Sequence, residues 1–84
     1  MAPLSEREES ILAFERDWLA GARAKEQAIR SQFALSPARY YQVLGRLIET
    51  PQALAFDPML VKRLLRQRDA RRAARLARTR PLIP

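Results

Sequence analysis

The 84-residue chain contains no cysteine and no histidine, and its only glycines are Gly21 and Gly45. Without cysteine there is no disulfide framework and no thiol nucleophile, and without either residue there is no zinc finger and no histidine general base. Two isolated glycines cannot form a phosphate-cradling loop, and no nucleophile elbow is present. Carboxylates, lysines such as Lys25 and two tyrosines remain for catalysis, but no carboxylates are paired in an apolar context. The sequence reads as that of a non-enzymatic protein with no metal or cofactor.

Long hydrophobic runs are also missing. No window approaches the ~20 apolar residues of a membrane span. The opening MAPLSEREES lacks the basic-then-apolar order of a signal peptide. A cytoplasmic location, with no membrane partner, is the expectation. The few aromatic residues, Phe14, Trp18, Phe33, Tyr40, Tyr41 and Phe56, all precede residue 57. Residues 1–65 are therefore read as one helical domain and residues 66–84 as an arginine-rich extension. A chain of this length buries only about 60% of its unfolded surface and has little to spare for a second core.

What is present is helical periodicity. Ser5-Glu6-Arg7-Glu8 has the form of a capping box, with glutamates where the helix dipole favours them. It predicts a first helix from Ser5 to about Ala20, ended by Gly21, with Ile11, Leu12, Phe14, Trp18 and Leu19 on one apolar stripe. A second helix is predicted over Ala22 to Ala34, with Ala28, Ile29 and Phe33 inward and Arg23, Lys25 and Arg30 outward, within reach of phosphate. Ser36-Pro37 is an N-cap followed by a proline at the first helical position. It starts a third helix running to Glu49 with Tyr40, Leu44 and Leu47 inward.

Thr50-Pro51 and Asp57-Pro58 announce two further helix starts. Leu54 and Phe56 are expected to close the bottom of the core, and Met59, Leu60, Val61, Leu64 and Leu65 to give the last helix an apolar face. The fold class is all-α: a small bundle of four to five helices, containing a helix-turn-helix and extended by a long basic C-terminal helix.

Charge is unevenly distributed. Residues 1–57 hold seven Lys/Arg against eight Asp/Glu, while residues 58–84 hold nine against one, giving the net +7. The face opposite the C-terminal arginines is alanine, not the Trp, Phe or Leu that a membrane-surface helix needs, and the a/d pattern of a coiled coil stops at Leu65. Nucleic acid requires no apolar face, because each arginine that neutralises a phosphate releases counterions. The expected nucleic-acid contacts are Ser36, Arg39, Tyr41, Gln42 and Arg46 on the third helix, with Arg63, Arg66, Arg71, Arg72 and Arg75 holding the backbone.

Residues 14–68 resemble a family of short actinobacterial proteins of unknown function, most closely in AKEQAIR, RYYQVL and DPMLVKRL. That resemblance implies a compact helical domain with a basic end and brings no activity. More locally, Ile29 to Val43 resembles the helix-turn-helix in the promoter-reading fourth region of bacterial sigma factors, which implies that Arg39 and Gln42 contact DNA. Glycine is usual at the turn of that motif where this chain has Ala34, so a left-handed alanine costing about 1 kcal/mol is expected.

Together these features point to a DNA-binding protein, a small transcriptional regulator or nucleoid-associated factor. Two alternatives stand beside it: an RNA or ribosome binder, and an adaptor docking on an acidic protein surface such as the transcription machinery. One domain with so few groove-reaching side chains reads only a few base pairs, so a homodimer or larger complex is expected.

Overall fold

In the computed structural model, which describes residues 3–79, five helices follow one another: α1 (Glu6–Asp17), α2 (Ala22–Phe33), α3 (Pro37–Leu47), α4 (Pro51–Phe56) and α5 (Pro58–Thr79). The described residues contain no strand. Residues 80–84, the end of the arginine-rich extension, lie outside the described residues.

Most helix starts are set by a side-chain cap. Ser5 Oγ accepts from Glu8 N–H at 3.1 Å while Glu8 Oε1 accepts from Ser5 N–H at 2.8 Å, completing the capping box. Ser36 Oγ accepts from Arg39 N–H at 3.1 Å, and Thr50 Oγ1 from Ala53 N–H at 3.1 Å. Asp57 Oδ1 accepts from Leu60 N–H at 3.2 Å. The three later caps each precede a proline at the first helical position, so these helices begin where the sequence places them.

The turn between α2 and α3 is Ala34-Leu35-Ser36. Ala34 takes φ 56° and ψ 34°, the left-handed conformation, and its N–H donates to the Arg30 carbonyl at 3.1 Å. No other non-glycine residue among those described has a positive φ. Arg7 of α1 reaches across, its Nη2 donating to the Phe33 carbonyl at 3.2 Å. A carbonyl left orphaned at the end of α2 is thus satisfied, and α1 is tied to the turn.

Leu47, Leu44 and Tyr40 turn inward from α3 and meet Ile11, Leu12 and Phe14 of α1 and Ile29 and Phe33 of α2 in one core. Phe14 stands edge-on to Phe33 at 5.4 Å and to Tyr40 at 5.9 Å, the arrangement that aromatic quadrupoles favour. Leu60, Val61 and Leu64 of α5 close the other side.

The structure corrects the sequence reading at several points. α1 ends at Asp17, not near Ala20, and Gly21 is the N-cap of α2, not the terminator of α1. Trp18 leaves the helix in an extended conformation, its ring stacked on Phe14 at 5.1 Å. A continuing helix would have set Leu19 in line with Leu12. Because the helix stops first, Leu19 is 96% exposed.

In α4 the buried residue is Ala53, and Leu54 and Phe56 are each a little over two-fifths exposed. They lie about 100° and 60° to either side of Ala53 on the helix, so they flank the contact and do not fill it. Met59 is exposed as well, since the buried face of α5 is Leu60, Val61 and Leu64 and Met59 falls behind it.

Candidate nucleic-acid interface

Glu15 sits on the apolar stripe of α1, four residues after Ile11, and is buried. A carboxylate there must be paired or neutralised. Lys25 Nζ of α2 lies 3.0 Å from Glu15 Oε1, and the Tyr40 hydroxyl of α3 donates to Glu15 Oε2. Burial in the first place, and then that hydrogen bond, push the Tyr40 hydroxyl far above the ordinary tyrosine range. Three residues from three helices therefore fix how α3 is presented. Lys25 is not the outward phosphate contact its helical position suggests: its side chain is 18% exposed, and its ammonium stands 5.4 Å from the Tyr41 ring centre.

On the opposite side of α3, Arg39, Gln42 and Arg46 are all exposed, and Ser36 is exposed at its start. At 3.6 residues per turn the four span about 120° of the helix. Arg39 Nη1 donates to Gln42 Oε1 at 3.3 Å, so the two side chains are held side by side. The Ser36 oxygen already accepts from the helix N-terminus, leaving its hydroxyl proton free to be donated outward.

Tyr41 does not share this face. It lies about 160° round the helix from Arg39 and lines a groove between α3 and α5 together with Gly45, Ile48, Leu64, Arg68 and Arg71. α5 therefore flanks α3 without covering the exposed polar face of Ser36, Arg39, Gln42 and Arg46.

The ten expected contact residues divide into separate groups. On α5, Arg71, Arg72 and Arg75 fall within about 100° of one another and continue the stripe of Leu64 and Arg68, on the side that faces α3. Arg63 and Arg66 do not join them: they lie on the back of α5, roughly opposite Arg68. The run of charge in the sequence suggests one backbone-holding set of five, and the helical period divides it.

Arg68 and Arg78 are not among the contacts expected from the sequence. Arg78 is exposed on the edge of the same stripe. Arg68 is the last partly buried residue of α5, and its Nη1 pairs with Glu49 just beyond the end of α3. From Asp69 to Arg78 every residue is exposed, so the distal rod stands clear of the core. Glu15 also escapes the sequence reading, although an acid in register with Ile11 and Leu12 on an amphipathic helix is a readable signal.

Among the described residues no group of acidic side chains could hold a metal ion, and no helix is long and apolar enough to cross a membrane. A family model described as a protein of unknown function (DUF3263) matches residues 3–76. No curated protein and no solved structure matches the chain.

Proposed function

The chain belongs to that family of unknown function, and from its geometry we propose that it is a non-enzymatic DNA-binding protein, a small transcriptional regulator or nucleoid-associated factor. The observation that carries this reading is the uncovered polar face of α3, Ser36, Arg39, Gln42 and Arg46, on a helix whose inner side is locked by Tyr40, Leu44 and Leu47.

In this reading α3 enters the major groove. Arg39 reaches a guanine edge, and the Gln42 amide donates beside it, its oxygen being already engaged by Arg39. Arg46 and the Ser36 hydroxyl bind phosphate at the two ends of the face, while Arg71, Arg72, Arg75 and Arg78 follow the backbone to one side. One such face reads few base pairs, so specific binding takes a homodimer or a larger complex with the transcription machinery.

Fluorescence anisotropy with a duplex of random sequence, titrated at several salt concentrations, tests the reading. Binding that weakens steeply with salt is the expected result. A strong preference for structured RNA over duplex as competitor at fixed salt would assign the arginine-rich helix to RNA instead. No duplex binding at moderate salt, with stable capture of a protein partner, would make the chain an adaptor.

A further inference from the structure

Gly45 lies in the last turn of α3, where glycine is less favourable than alanine by roughly 0.5–1 kcal/mol. Its backbone is ordinary right-handed helix, and a Cβ added there would meet nothing within 4 Å. Neither a turn nor a close helix crossing requires the glycine. The effect of the missing side chain is to leave open the α3–α5 groove, about 230 Å³ in volume.

The chemistry of that groove is specific. It is lined by Gly45, by the buried Ile48 and Leu64, by the aromatic Tyr41 and by two cations, Arg68 and Arg71. The ring is held in place by Tyr40 edge-on at 5.1 Å and by the Lys25 ammonium. Arg71 is exposed. Arg68 is anchored to Glu49 through Nη1 while its buried Nε–H has no hydrogen-bond acceptor, Asp69 Oδ1 standing 3.7 Å away.

We propose that this groove binds a single unpaired nucleotide, its base lying over Gly45 against Tyr41 and its phosphate held by Arg71 and Arg68. A planar ring can rest on a helix where a Cβ is missing, and a base stacked on an aromatic wall beside arginines is the usual single-strand arrangement. The volume is below the ~300 Å³ at which drug-sized pockets begin, enough for one base and too little for a pair. A duplex keeps its bases inside the stack, so the ligand is a single strand, a loop, a bulge or a fork. Gly45 is only about 60° round α3 from Gln42, so a strand leaving the outer face of α3 reaches the groove directly. The inference rests on the nucleic-acid half of the proposed function and is independent of its duplex half.

The test compares fluorescein-labelled octathymidylate with an abasic octamer of the same backbone, by anisotropy at fixed salt. The intact protein is expected to favour octathymidylate about tenfold, within the range of one stacked base. Gly45→Leu, which fills the groove, should bring both probes to the abasic affinity without lowering the melting temperature. Tyr41→Leu should have the same effect on the preference, and serves if the leucine at 45 fails to fold.

Equal binding of the two probes by the intact protein, or a preference that survives both substitutions, would overturn the proposal. So would capture of an acidic peptide carrying one phenylalanine where octathymidylate shows no base-dependent binding. Arg39→Ala with Gln42→Ala should leave the octathymidylate preference intact while altering duplex binding, so the two readings fail separately.

Discussion

The Tyr40 hydroxyl donates a hydrogen bond to the buried carboxylate of Glu15, 25 residues earlier in the chain. With Lys25 on the other carboxylate oxygen, the contact ties α1, α2 and α3 at one point. A buried charge loses more from a missing partner than it gains from a present one. Lys25→Met should therefore cost about 3 kcal/mol, the low end for a broken buried pair because the ammonium keeps some solvent. Tyr40→Phe should cost about 1–3 kcal/mol. Urea unfolding of both, with Glu15→Gln closing a double-mutant cycle, checks the coupling. Additive effects would show that the contact is not a unit.

The pH dependence follows from Tyr40. Its folded pKa is raised, by burial first and by Glu15 second, above the unfolded value of about 10. The neutral hydroxyl is thus favoured in the fold, and the associated stability is fully present below pH 10. Above that the unfolded chain loses a proton that the fold retains, so stability should fall by about 1.4 kcal/mol per pH unit. Urea titrations at pH 8, 10 and 11 measure the slope, and Tyr40→Phe should remove it.

Ala34 holds a left-handed conformation at φ 56°, which places its Cβ against the neighbouring carbonyl. Ala34→Gly should raise the unfolding free energy by about 1 kcal/mol, one of the rare positions where glycine stabilises. A melting temperature unchanged or lowered by this substitution would contradict the account of the turn.

The division among basic residues predicts different binding defects. Arg39→Ala with Gln42→Ala should reduce discrimination between duplex sequences while leaving the affinity for random duplex nearly intact. Replacing Arg71, Arg72 and Arg75 by alanine should weaken all sequences alike and reduce the salt slope by about 0.9 for each phosphate no longer neutralised. Arg63→Ala with Arg66→Ala, on the back of α5, should do neither. Titrations across salt concentrations separate the three, and a defect in the third equal to the second would mean the helix face does not matter.

Signals carried by single residues or by strict periods are readable in the sequence. Ser5, Ser36, Thr50 and Asp57 each cap the helix they precede. The inward set Tyr40, Leu44 and Leu47 follows from the 3.6-residue period alone. What escapes is what tertiary packing decides. Leu19 fits the stripe of α1 by period, but the chain leaves the helix at Trp18 before that period can act. Lys25 reads as a solvated lysine until Glu15, ten residues away, is known to be buried beside it.

Arg68 tethers α5 to Glu49 and is the last partly buried residue of that helix, so its place fixes the phase of everything beyond it. The stretch from Asp69 to Thr79 is a rod of roughly 16 Å at 1.5 Å per residue, about half the length of one turn of duplex. Inserting one residue after Arg68 would swing the whole arginine stripe about 100° away from α3, whereas inserting seven would return it to within about 20°. Spacing between the tether and the stripe, more than the number of arginines, thus sets whether the arginines of the rod point the same way as α3.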